Sequence, residues 1–106
     1  MATGGNLLEV GSETWLYREA EPLNSNNRPP VILLHGLVSQ SYSWREVLPA
    51  LAQQGFRAIA PDWLGCGYSS MPDRRDFAYT PDAFIQALEE FVNALGLEKF
   101  SLVAQG

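Results

Sequence analysis

Val31-Ile32-Leu33-Leu34-His35-Gly36-Leu37 decides how this chain folds. Four consecutive apolar residues without alternation suit a strand covered on both faces, the situation inside a parallel sheet. His35-Gly36 then breaks the run. Upstream, the polar, proline-ended stretch Asn24-Ser25-Asn26-Asn27-Arg28-Pro29-Pro30 reads as a turn or loop. Residues 12–18, Ser-Glu-Thr-Trp-Leu-Tyr-Arg, alternate loosely and predict a half-exposed antiparallel strand.

Downstream of the apolar run, the pattern changes to helical spacing. Ser43 with Glu46 three residues later forms a capping box and predicts a helix start at Ser43. Trp44, Val47, Leu48, Leu51 and Ala52 make its apolar stripe. Pro49 inside that helix is expected to cost a hydrogen bond and bend it. Gly55 is the expected left-handed terminator, and Phe56 to Ala60 a short strand. A second helix carries stronger boundary signals: Thr80 as cap, Pro81 at the first position, Asp82 at the positive end of the dipole and Gly96 as terminator. Phe84, Leu88, Phe91, Val92 and Leu95 are its expected buried face, and Phe100 to Ala104 reads as the last strand.

Strands alternating with amphipathic helices imply an α/β fold, three-layered, with a mostly parallel sheet, flanking helices and right-handed crossovers. Two helices cannot cover every strand face of such a sheet, and one edge is left open. The chain, 1–106, is accordingly expected to be a piece of a larger domain, with a self-sufficient mini-domain as the alternative.

Composition narrows the function classes. An apolar fraction of 46% against 18% charged residues suits a globular protein rather than a disordered one. A net charge of -5 provides no basic stripe to replace phosphate counterions, so nucleic acid is not an expected partner. The same charge disfavours an anionic membrane surface. The single cysteine, Cys66, permits neither an internal disulfide nor a CxxC metal site and fits a reducing compartment. The first residues lack a basic start followed by a long apolar stretch, and no run nears the roughly 18 apolar residues of a membrane span. A cytoplasmic location is the expectation.

The second informative stretch is Asp62-Trp63-Leu64-Gly65-Cys66-Gly67-Tyr68-Ser69, at the end of the second predicted parallel strand. Gly65-x-Gly67 is not a dinucleotide fingerprint: Ser70 stands where the third glycine belongs, and a polar loop from Met71 to Tyr79 precedes the next helix. The glycines are expected to turn the chain sharply, with Asp62 and Ser69 hydrogen-bonding local amides. Cys66 has no base in its neighbourhood and Ser69 lacks a Gly-x-Ser-x-Gly elbow, so neither is expected to act as a nucleophile.

Val31 to Leu37, Trp44 and Ala60 to Ser69, in this order and at these strand ends, resemble the amino-terminal half of an α/β-hydrolase, from the branch that includes esterases, epoxide hydrolases and haloalkane dehalogenases. The resemblance covers about residues 12–106. It implies nucleophilic hydrolysis of a small, largely apolar ester-, epoxide- or halide-type substrate, with no cofactor and no metal. It implies that the backbone N–H of Leu37 is one of two oxyanion donors. It also implies that His35 is a loop histidine rather than the general base, which in the family comes much later. His35, Gly36 and Gln105 become candidate substrate-site residues.

Gln105 resembles the glutamine that precedes an aspartate nucleophile in haloalkane dehalogenases, but Leu37 stands where those enzymes carry a halide-binding asparagine. The nucleophile position falls on Gly106 or just beyond it, and glycine cannot attack. Two expectations therefore remain open: an inactive section of a hydrolase, or a non-catalytic relative serving as a binding or structural subunit.

Overall fold

The computed structural model describes residues 5–22, 28–36 and 40–105. Five strands form one sheet in the order β1-β2-β4-β3-β5, where β1 is Gly5–Val10, β2 Glu13–Ala20, β3 Val31–Leu34, β4 Ala58–Pro61 and β5 Ser101–Ala104. β3 pairs in parallel with β4 on one side and β5 on the other. β1-β2 and β2-β4 are antiparallel, so the sheet is mixed, with its parallel strands grouped at one side.

The apolar run has the predicted cause. Val31 and Leu33 pack with Leu48, Ala58 and Ala60 in one core, while Ile32 and Leu34 pack with Trp15, Ile59 and Phe91 in the other. Successive side chains point to opposite faces of a strand. Both faces of β3 are buried, one under helix α1 (Val47–Gln53) and the other under α2 (Pro81–Ala94). Three layers result.

α2 is built as its sequence predicts. Thr80 Oγ1 accepts from the Ala83 N–H at 3.2 Å, Pro81 opens the helix, and Gly96 follows it with φ 77°. Ala87 joins Phe91 and Val92 on its buried face, a small residue that the apolar stripe omits.

The first helix differs from expectation. Ser41–Trp44 form a 3-10 turn, and α1 begins only at Val47. Ser43 lies inside the 3-10 turn, where its Oγ donates to Gln40 O, so the Ser43–Glu46 capping box does not form. The later start also puts Pro49 in the first turn of α1, where amides lack intrahelical partners and its missing N–H costs nothing.

β1 lies outside the sequence expectations. It pairs with β2 through the two-residue connection Gly11-Ser12, with Gly11 at φ 63°. Of residues 12–18, 13–18 form the antiparallel strand foreseen, which runs on to Ala20, while Ser12 belongs to the turn. Of the loop predicted before β3, residues 24–27 lie outside the described residues, as do Leu37 and Gly106.

Asp62, fully buried just after β4, ties the rim together. Its Oδ1 accepts from the Ser41 N–H at 2.5 Å and its Oδ2 from the Tyr68 N–H at 3.0 Å. Ser69 Oγ donates to the Asp62 carbonyl at 2.6 Å and accepts from the Leu16 N–H at 2.8 Å, so its amide partner is on β2 rather than local. Gly67, at φ 54°, runs so close to the carboxylate that a Cβ there would collide with it.

Two outcomes follow from these contacts. Asp62→Ala leaves the buried Ser41 amide and the part-buried Tyr68 amide without their acceptor and is expected to lower stability by about 2–4 kcal/mol, with Asp62→Asn losing about half as much, read from urea midpoints. Thr80→Ala removes one cap and should cost about 1 kcal/mol in the same measurement.

Candidate functional site

The parallel pairing brings two strand tips together. Leu34 faces Ala104 in register, and the Gln105 N–H continues the ladder to Leu34 O at 2.9 Å. The chain leaving β3 and the chain leaving β5 therefore emerge side by side at the carboxyl rim, where open α/β sheets bind ligands. A cavity of about 370 Å³ opens there. Leu34, Ala104 and Gln105 line it from the strand tips, His35 and Gly36 from the turn after β3, and Trp63, Cys66 and Phe84 from the side of α2. Its walls are mainly apolar, which favours an uncharged ligand.

Three of the sequence-derived candidates, His35, Gly36 and Gln105, thus share one cavity. For the other two, Leu37 and Gly106, the structure describes no position.

His35 is buried, at 3% exposure, and both ring nitrogens are engaged. Nε2 lies 3.1 Å from the Trp63 backbone N–H, and Nδ1 2.6 Å from Gly36 O. The Trp63 indole Nε1–H returns a bond to the His35 carbonyl at 3.1 Å. A histidine bound on both sides to the main chain has no free nitrogen with which to take a substrate proton.

Cys66 sits between the two glycines. Burial pushes its thiol up from its ordinary value, and the Asp62 carboxylate pushes the same way. Both causes oppose the thiolate, which is the nucleophilic form. Ser69 is buried and spends its hydroxyl on Asp62 and Leu16. Among the described residues, no group of three or more His, Cys, Asp or Glu side chains could hold a metal ion, and no helix is long and apolar enough to cross a membrane.

Sequence reasoning gives Trp63 no role, although it is quoted within the Asp62 motif. Its place two residues beyond the end of β4, at the rim where the β3 chain also leaves the sheet, is the signal. Phe84 reads from sequence only as a core position on α2. In the structure it meets Trp63 edge-on, with ring centroids 5.4 Å apart, and forms a wall of the cavity.

The model of the alpha/beta hydrolase fold matches residues 29–105. A proline iminopeptidase from Lactobacillus helveticus is 38% identical over 102 residues, covering 95% of this chain and 34% of the relative. The crystal structure of a haloalkane dehalogenase loop variant from Bradyrhizobium elkanii superposes with a TM-score of 0.83 at 32% identity, covering 96% of this chain and 32% of the other. That of an epoxide hydrolase from Vigna radiata gives 0.82 at 29% identity, with coverages of 96% and 32%. The chain spans about a third of the length of these proteins. The sheet order, the twin strand tips and a match extending over most of the described residues agree, and the chain belongs to the α/β-hydrolase fold family.

Proposed function

We propose that these residues are the scaffold and part of the oxyanion site of a hydrolase that attacks a small, largely apolar ester-, epoxide- or halide-type substrate. The observation that carries this reading is the pairing of Leu34 with Ala104, which sets the turn containing Gly36 beside the tip containing Gln105. Attack by a nucleophile following the second tip would place the oxyanion of a tetrahedral intermediate beside an amide following the first. Leu37's backbone N–H is assigned that role, and Gly106 stands at or next to the nucleophile position. Fixed amide donors of this kind commonly contribute about 3–4 kcal/mol to lowering a barrier.

By the same reading, the 106 residues do not turn over substrate on their own. His35 has both nitrogens committed, Ser69 has its hydroxyl committed, and Cys66 is held as a thiol. None of the three can replace a nucleophile activated by an adjacent base.

A second reading, a binding or structural subunit completed by another chain, is favoured by β5. It is the sheet's edge strand, and its apolar side chains stand in solvent, Leu102 at 52% and Val103 at 44% exposure. The reading frame beyond Gly106 separates the two. A serine or aspartate in a glycine-rich elbow, with a distant acid and histidine, returns the enzyme, and their absence returns the subunit. In both readings the partner is a small molecule or a protein chain, with neither nucleic acid nor membrane.

Incubated with activated aryl esters, the purified chain is expected to show no saturable turnover. Saturable turnover that survives His35→Ala and Leu37→Pro contradicts the site assignment. Cys66 gives an independent check: its alkylation by iodoacetamide should rise with pH at a midpoint above the ordinary thiol value of about 8.5, because burial opposes the thiolate. A midpoint below that value contradicts the inert role.

A further inference from the structure

We propose that Phe84 sets the size of the apolar ligand that the rim cavity admits, and that Tyr79 is the positioning residue that keeps the Phe84 ring in the cavity wall. This rests on the reading of that cavity as a substrate site and deepens it.

Three aromatic rings meet Phe84 edge-on. Trp63, Phe77 and Tyr79 stand at centroid distances of 5.4, 5.0 and 6.0 Å, with interplanar angles of 76°, 78° and 73°. Edge-to-face contact of this kind has a preferred geometry, so it orients a ring as well as burying it. Trp63 and Phe77 in turn pack against the core beneath α2. The Phe84 ring is held in one setting by neighbours that are themselves anchored.

Tyr79 is the strained member of this group. Its φ of 56° lies in the left-handed region, and among the described residues no other non-glycine shares it. A bulky residue persists there only when its surroundings over-determine it. Its hydroxyl donates to the Pro72 carbonyl at 2.6 Å and closes the loop between them. Phe77 meets its ring edge-on at 4.9 Å. On another side the ring presses on Gly65, where a Cβ would lie 2.7 Å from Tyr79 Cε1. Tyr79 is thus wedged between Phe84 and the Gly65 turn, whose next residue, Cys66, also lines the cavity.

The remaining walls are tied by hydrogen bonds. Leu34 and Ala104 belong to paired strands, His35 is bound to the main chain through both ring nitrogens, and the Trp63 indole is bound to the His35 carbonyl. Phe84 is held by ring contacts alone, so shortening it enlarges the cavity without breaking a hydrogen bond. At about 370 Å³ the cavity lies near the lower end of the range for ligand sites, roughly 300–1,000 Å³. A single ring fits such a space, and the room taken by the Phe84 ring decides whether a second, fused ring can follow.

The test compares two neutral probes that differ by one fused ring, benzyl alcohol and 2-naphthalenemethanol. Binding is read from the amide shifts of Gln105 and Trp63 in the 15N-labelled chain. Apolar burial by itself favours the larger probe. The wild-type chain is expected to favour benzyl alcohol, and Phe84→Ala to shift the preference toward the naphthyl probe by about tenfold. Phe84→Leu, which keeps an apolar side chain on α2, should shift it the same way. Glycine accepts a φ of 56° without strain, so Tyr79→Gly leaves the loop its course and removes only the brace. Its preference should move toward that of Phe84→Ala, whereas Tyr79→Phe, which keeps the ring, should retain the wild-type preference.

A wild-type chain that favours the naphthyl probe overturns the proposal without any variant having to fold. So does a preference left unchanged by Phe84→Ala and Phe84→Leu. The role of Tyr79 is overturned by a wild-type preference in Tyr79→Gly, or by a shift in Tyr79→Phe as large as in Tyr79→Gly. If both probes bind at an unaltered ratio, the assignment of Phe84 fails and the substrate-site reading stands. If neither probe moves these amides in the wild-type chain, both fail.

Discussion

β3 is held on four sides, and the rest of the molecule is arranged around that constraint. β4 and β5 pair with its two edges, and α1 and α2 cover its two faces. A strand so enclosed needs an apolar residue at every position, because no face is left for water. It also fixes where its chain must leave the sheet. The turn at His35-Gly36 lies at the carboxyl rim because β3 runs parallel to both neighbours and cannot return through a hairpin.

The rim is then stiffened by polar contacts that start at buried groups. Asp62 holds the amides of Ser41 and Tyr68, which joins the loop after β3 to the loop after β4. His35 and Trp63 join the same two loops a few residues away. Buried groups with every partner satisfied specify a single local arrangement, and removing one partner costs more than the bond is worth in isolation. The apolar cavity at this rim therefore lies beside groups that these bonds tie to the sheet. β5 contrasts with this: it is in register with β3, but its four residues are exposed and its apolar side chains remain accessible.

Much of this was legible in the residues. Val31 to Leu34 announced a doubly covered strand because a four-residue apolar run has few other uses beside Pro30 and Gly36. Thr80-Pro81-Asp82 and Gly96 marked α2 because capping chemistry is local and does not depend on what the helix packs against. Ser43 misled for the complementary reason: its spacing to Glu46 satisfied a local rule, but the Asp62 bond to the Ser41 amide draws this segment into a 3-10 turn first. β1 was missed because a six-residue strand with weak alternation depends on its partner, and only the Gly11-Ser12 connection hinted at a hairpin. Trp63 was missed as a partner of His35 because the two are 28 residues apart, and only sheet register brings them together.

The central claim is that the chain leaves β3 and β5 at one rim, side by side. The most direct test is the scalar coupling across the hydrogen bond between the Gln105 amide and the Leu34 carbonyl carbon, measured on uniformly labelled protein. That coupling should be observable, with the amide of Ser101 likewise coupled to Pro30. Absence of both couplings, together with close Hα–Hα contacts between residues 31–34 and 101–104 that mark antiparallel pairing, would contradict it.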